Sequence, residues 1–273
     1  MAVVAFLPPS SRLPARPPDA PWTPPPTRLG LTARQWAVAA ITVASCLLLT
    51  AGVSVVAGWL TLHRDPTAAE LERAANRDVA RRWSAWPAGR IFPGTLPYQP
   101  GGGPGETARR LGILPDTGCP DAVDAQIAAL LTANGCRAAL RATYADALGG
   151  VVTTVAVVAF PDPSGADRAF RELQKASSGD GDGRIGPAVR AAAFPGTSSA
   201  PFTDASRMNR TSTRAGPYLL LTASGLFDGR PASTVTKPLP GDPFGIAPQL
   251  AAQIGRTLAA RPLPSCGGAD WRC

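Results

Sequence analysis

Hydrophobic positions along the chain form one long unbroken run and a series of short periodic ones. From Gln35 to Leu62, 28 residues carry no Asp, Glu, Lys or Arg. The apolar body, Trp36 to Leu60, is 25 residues long. As a helix it covers roughly 37 Å, more than the hydrocarbon core of a bilayer at about 30 Å. Trp36 and Trp59 stand near its ends, where indole rings favour the membrane interface, and Arg34 and His63-Arg64 close it. The pattern predicts one transmembrane helix over 35–62. A cleavable signal peptide has a shorter apolar region behind a short basic start, whereas 34 residues precede this run. Val43-Ala44-Ser45-Cys46 has the form of a lipobox, yet the residues after Cys46 stay apolar where a mature lipoprotein turns polar. The next apolar run, Val151–Phe160, has ten residues and is β-branched, so it reads as a strand.

After the long run the periodicity changes. Asp65-Pro66 has the form of a helix start, and Leu71, Ala75, Val79 and Trp83 recur at i+4, with Pro87 as the stop. Such a stripe packs on the protein's own domain, on a partner helix or on a membrane surface. Glu70/Arg73 and Asp78/Arg82 are spaced to pair along the helix. Residues 87–105, with Gly101-Gly102-Gly103-Pro104-Gly105, read as a linker. Val123, Ile127, Leu130 and Leu131 predict a helix over 121–133. Arg137–Ala145 alternates apolar and polar, which predicts a half-buried strand, and Gly149-Gly150 turns the chain into Val151–Phe160. Ser164 and Asp167 resemble a capping box opening a helix to about 176. Ala188–Phe194 and Tyr218–Leu226 are further strand candidates, and Pro248, Leu250, Ile254 and Leu258 mark a last helix.

The order is αββαββα, an α+β class with helices packed on an antiparallel sheet. Four regions follow: a Pro-rich disordered cytoplasmic tail (1–34), the transmembrane helix (35–62), a juxtamembrane helix with a Gly/Pro linker (63–106), and an extracytoplasmic α+β domain (107–273). The tail holds nine prolines, including Pro24-Pro25-Pro26, and suits neither a helix nor a sheet interior. Within the membrane run, Thr42, Cys46, Thr50, Ser54 and Gly58 share one small-residue face. That face predicts weak homodimerisation through Thr50, Ser54 and Gly58.

Composition narrows the chemistry. The chain has 273 residues, with 27 Lys+Arg against 19 Asp+Glu, and 45% of its residues are hydrophobic, so it is not disordered throughout. Its one histidine, His63, sits at the membrane edge, which excludes a Ser-His-Asp triad, a Cys-His pair or a His-ligated metal in the C-terminal domain. Neither a G-x-G-x-x-G nor a P-loop lysine motif occurs. Ser178-Gly179-Asp180-Gly181-Asp182-Gly183-Arg184-Ile185 looks like the middle of an EF-hand loop. Ser178 stands at the first ligand position, Pro187 falls inside, and Val189 stands where a bidentate Glu is needed. It reads as a solvated Gly/Asp loop, and no cofactor or metal is expected. Arg207, Arg210 and Arg214 cluster among hydroxyl residues as a possible anion-binding loop for a lipid or an envelope polymer.

Counting Lys and Arg on the two flanks does not orient the helix. Cysteines do. Cys46 lies inside the apolar run, while Cys119, Cys136, Cys266 and Cys273 all follow it. An even set on one side points to two disulfides and an oxidising compartment, hence the N-terminus inside and the C-terminal domain outside the cytoplasmic membrane. Local pairing, Cys119–Cys136 and Cys266–Cys273, requires Pro120 and Asn134-Gly135 to fold the chain back, or a helix shortened to about ten residues. With a long straight helix over 121–133, the tail cysteines would instead reach back to Cys119 and Cys136.

The motifs WPAGRIFP (86–93), RATYADA (141–147), AFPDP (159–163), FPGT (194–197), GPYLLL (216–221), DGRP (228–231) and the terminal Trp271-Arg272-Cys273, with Cys119 and Cys136 around a helix, carry a resemblance. The chain resembles a group of single-pass envelope proteins of high-GC actinobacteria. The resemblance implies an exported α+β domain and no particular activity. Two classes of function remain. The favoured one is a non-catalytic, membrane-tethered interaction or sensing domain, with the bilayer and another envelope protein as partners and no nucleic acid. The other is an envelope enzyme working with carboxylates alone.

Overall fold

The computed structural model describes residues 32–62, 67–101, 103–177, 186–237 and 239–261. The chain divides into two compact units between residues 65 and 66. The first contains one helix, α1 (Ala33–Leu62). Thr32 and Gln35 cap its start reciprocally, the Gln35 amide oxygen accepting from Thr32 N at 2.9 Å. Over Ala33–Thr61 it is long and apolar enough to cross a membrane. Its hydroxyls are satisfied within the helix. Thr42 donates to Val38 O at 2.8 Å, Thr50 to Leu47 O at 2.9 Å and Ser54 to Thr50 O at 2.8 Å.

The second unit is α+β. Its strands are β1 (Thr95–Tyr98), β2 (Glu106–Ile113), β3 (Ala138–Ala145), β4 (Val151–Ala159), β5 (Asn209–Ala215) and β6 (Tyr218–Leu226). They form one sheet in the order β1-β2-β3-β4-β6-β5, every neighbouring pair antiparallel. The described helices are α2 (Ala68–Ala85), α3 (Ala88–Ile91), α4 (Cys119–Ala122), α5 (Ala125–Ala133), α6 (Pro163–Ser177) and α7 (Ile246–Ala259). From α5 to α7 the order is the predicted αββαββα, with the β1–β2 hairpin added before it.

Both faces of the central strands are buried, because period-2 alternation sends apolar residues to each side in turn. Leu140, Tyr144, Val155, Val157, Tyr218 and Leu220 pack with Val79 of α2 and with Leu250, Ile254 and Leu258 of α7. Ala139, Ala156, Val158, Leu219 and Leu221 pack on the other side with Ile127 and Leu131 of α5 and with Ala166, Ala169 and Leu173 of α6. The α2 stripe therefore packs on its own domain: Ala75 and Val79 are buried, and Trp83 lies against the core.

Several sequence expectations need correction. Helix α2 is capped by Thr67. Its side chain accepts from Glu70 N while Glu70 reaches back to Thr67 N, and Asp65-Pro66 lies outside the described residues. The segment read as a linker holds α3 and β1. Leu96 and Tyr98 point inward, and Pro97 is tolerated because β1 is an edge strand. Strand β3 is buried on both faces, Arg141 and Thr143 included, because a second layer covers the side expected to meet solvent. The 121–133 helix is broken at Val123-Asp124 into α4 and α5.

Ala188–Phe194 is not a strand and makes one isolated bridge, Val189 to Val123. Arg190 N donates to Ala122 O at 2.9 Å, and side chains take up four other backbone N–H groups of the segment. Ala188 N donates to Asp124 Oδ2 at 2.9 Å, Ala191 N to Asp204 Oδ1 at 2.7 Å, Ala192 N to Thr154 Oγ1 at 3.1 Å and Phe194 N to Ser199 Oγ at 3.1 Å. The outer neighbour of β6 is β5, Asn-Arg-Thr-Ser-Thr-Arg-Ala, an edge strand without a large apolar residue. It is held by hydroxyls, Thr211 meeting Thr222 at 2.7 Å.

Gly225 is required by packing. A Cβ there would collide with the Ser206 carbonyl oxygen and lie 2.7 Å from the Phe202 ring. Gly225→Ala should lower stability by about 1–3 kcal/mol, read as an earlier urea midpoint of the full chain in detergent with an unchanged circular dichroism spectrum.

The three tyrosines offer a second check. Burial, and then a hydrogen bond to the Glu106 carboxylate, pushes Tyr98 up to about 12. Burial pushes Tyr218 up to about 12 and also raises Tyr144. The folded chain thus keeps these phenols protonated to higher pH than the unfolded chain, whose ordinary value is 10.0. The stabilisation is complete below that value and is lost as pH climbs through the folded ones. Ultraviolet absorbance should show no tyrosinate at the ordinary value, and the urea midpoint should fall only above it.

Candidate functional site

Three features of the second unit carry chemistry: a disulfide, a set of arginine clasps on edge strand β5, and an arginine-lined groove along α2. Cys119 and Cys136 are bonded to each other, with Cα atoms 6.5 Å apart. The break at Val123-Asp124 shortens α5 to nine residues. Gly135, at φ 84°, takes the left-handed conformation that reverses the chain. Gly135 N donates to Thr132 O at 3.0 Å and Cys136 N to Leu131 O at 2.9 Å, which gives partners to carbonyls of the last helical turn. Cys266 and Cys273 lie outside the described residues, as do His63 and the EF-hand-like stretch 178–185. Cys46 is free and lies within α1.

Arg207 precedes β5 while Arg210 and Arg214 lie on it, and each ties a different neighbour to this edge of the sheet. Arg207 Nη1 lies 3.0 Å from Asp124 Oδ2 and donates to Val189 O at 2.9 Å. Arg210 Nη1 donates to Pro187 O at 2.7 Å. Arg214 Nε lies 3.4 Å from Asp167 Oδ1 on α6. Beside Arg210 is a cavity of about 250 Å³ with an apolar wall of Ile127, Leu173 and Leu221 and a polar rim that includes Gln174 and Ser212. Gln174 Nε2 donates to Ser212 Oγ at 3.0 Å across that rim.

Carboxylates near these clasps are engaged in building the fold. Asp124 accepts from Ala188 N and pairs with Arg207, and Asp204 accepts from Ala191 N. Arg141, buried on β3, has only a long ion pair with Asp116, at 3.7 Å. Its Nε has no hydrogen-bond partner among the described residues. Burial lowers its pKa from the ordinary guanidinium value, and Asp116 acts against that. Among the described residues no three His, Cys, Asp or Glu side chains gather as a metal site.

The third feature, a groove along α2, has no counterpart among the sequence expectations. Arg73, Asn76, Arg77, Ala80 and Arg81 of α2, with Pro161, Asp162 and Pro163 from the β4–α6 connection, line a groove of about 650 Å³. Arg73, Arg77 and Arg81 are all exposed. Their i, i+4, i+8 spacing was the available signal. Asp162 serves as the cap of α6, accepting from Gly165 N at 2.9 Å and Ser164 Oγ at 2.5 Å. Those bonds, the serine one first, hold its carboxyl below the usual range.

No protein-family model, curated protein or solved structure matches this chain.

The disulfide joins cysteines with a sequence separation of 17, and the loop it closes runs through α4 and α5. Replacing both cysteines (C119A/C136A) should cost about 3 kcal/mol. The urea midpoint of the full chain should fall accordingly, and the resonances or exchange rates of α4 and α5 should change most.

Proposed function

We propose that the chain is a membrane-tethered, non-catalytic interaction or sensing module of the bacterial cell envelope, with its N-terminus inside and its second unit outside the cytoplasmic membrane. The observation that carries this reading is the Cys119–Cys136 disulfide, placed in the chain after a helix long and apolar enough to cross a bilayer. Disulfides persist in oxidising compartments, and a thiol pair closed by the local fold suits export. Trp36 and Trp59 near the ends of α1 support a spanning role, since indole rings settle at the interface. The carboxylates and arginines described above act as caps and clasps, a use of charge that suits a scaffold for recognition. Such a scaffold would act through its surfaces, on the bilayer and on another envelope protein.

The test is a pair of reporter fusions after Cys273. An exported phosphatase should be active and a cytoplasm-dependent fluorescent reporter dark. Alkylation of intact cells should leave Cys119 and Cys136 unmodified until a reductant is added. A bright cytoplasmic reporter with freely alkylated Cys119 and Cys136 would remove both the orientation and the export reading.

A further inference from the structure

We propose that the arginine ladder of α2 is a docking surface for the phosphate headgroups of an anionic phospholipid bilayer. The proposal rests on the reading of α1 as the membrane anchor. Arg73, Arg77 and Arg81 stand one above the other on the exposed side of α2, opposite the buried Ala75, Val79 and Arg82. Over eight residues the ladder rises about 12 Å. Its steps are close enough, at about 5–6 Å between Cβ atoms, for a phosphate to sit between two guanidinium groups.

Two of the three arginines are pre-positioned. Arg73 Nε donates to Ala69 O at 3.1 Å and Arg77 Nε to Arg73 O at 3.4 Å, which lays both side chains along the helix. Among the described residues, none of the three has a carboxylate partner. The nearby acids have other engagements. Asp78 is paired with Arg82 at 2.8 Å, Glu70 reaches back to Thr67 N, and Asp162 caps α6. Glu72 is the exposed exception on this helix. Asn76 adds an amide within the same groove, and Pro161 and Pro163 give it an apolar wall.

Charge complementarity selects the occupant. A planar guanidinium matches a phosphate with two parallel hydrogen bonds, and several in a row suit a surface of phosphates better than one soluble anion. Sequence position agrees. Four residues, 63–66, separate the end of α1 from the cap of α2, which makes the ladder a juxtamembrane basic segment of the kind drawn to anionic leaflets.

The test uses the full chain in nanodiscs of phosphatidylcholine alone and of phosphatidylcholine with phosphatidylglycerol. Hydrogen exchange of 68–85 should slow by about tenfold or more in the anionic discs, since each arginine at such a surface contributes about fivefold. Raised salt should cancel the effect. The R73Q/R77Q/R81Q variant should lose it while keeping wild-type exchange in β3, β4 and β6, and the matching lysine variant should retain it. Equal exchange in the two lipids would overturn the proposal, as would slowing that survives in the glutamine variant. If inorganic phosphate in neutral discs reproduces the slowing, the groove binds soluble anions and the bilayer assignment falls. Alkaline extraction of the chain from vesicles would defeat the anchor reading separately. In that case flotation with anionic but not neutral vesicles would still support the ladder, and flotation with neither would overturn it.

Discussion

One buried guanidinium, that of Arg82, joins the helix α2 to the end of α7, which packs on the sheet. Arg82 is 4% exposed. Burying such a charge costs several kcal/mol unless it is matched, and here every side of it is matched. Nε and Nη2 donate to Asp78 at 3.0 and 2.8 Å. Nη1 donates to Leu258 O at 2.8 Å and to Ala260 O at 2.6 Å. Those carbonyls belong to the last turn of α7 and the residue after it, where the helix dipole is negative. The Trp86 ring lies 4.7 Å from the guanidinium, and Arg90 covers the same ring at 3.8 Å. Beside this cluster Tyr218 of β6 donates its hydroxyl to Val79 O. A helix held in this way at its end, and packed along Ala75 and Val79, moves with the sheet and does not swing as a tether. That is why the boundary between the two units falls before α2 in the chain.

A sheet covered on both faces creates a second demand. The chain that covers a buried strand must leave no backbone group unpaired, and 188–194 is too irregular to supply a ladder. Short polar side chains supply it. Thr143 and Thr154 meet at 2.9 Å on neighbouring strands, Thr143 donates to Ala192 O, and Thr154 accepts from Ala192 N. Asp124 does the same at the start of α5, joining Ala188 N to the Arg207 guanidinium. The buried threonines of β3 and β4 are therefore structural acceptors and donors for the covering segment.

This explains what could be read from residues alone. α1, β4, β6 and α7 are written in runs or stripes of large apolar residues, and their positions follow from period and length. The disulfide could be foreseen only as one of several pairings, since its geometry hangs on the break at Val123-Asp124, which helical spacing conceals. Edge strands were hardest. β1 carries Pro97, and β5 spells Asn-Arg-Thr-Ser-Thr-Arg-Ala, so neither offers the apolar alternation by which strands are recognised. Their pairing is dictated by the neighbouring strand and by hydroxyl contacts such as Thr211–Thr222, and these are long-range facts. The ladder on α2 was visible as spacing, but its meaning depended on knowing which side of the helix is buried.

The excess of basic residues can now be divided by what each one touches. Arg82, Arg207, Arg210 and Arg214 spend their donors on carbonyls and carboxylates of the same unit. They hold helices and connectors against strands, and adding up their charges says little about the surface. Arg73, Arg77 and Arg81 are different because α2 has spent its buried side on the core and its one buried charge on α7. What remains outward is a helix face whose only regular feature is positive charge. The sequence points to Arg207, Arg210 and Arg214 as the anion-binding loop, and these are arginines that the fold uses as clasps. Exposed arginines such as Arg109, Arg137, Arg190 and Arg256 are scattered over separate elements, whereas Arg73, Arg77 and Arg81 form one row along α2, the first helix after the apolar one.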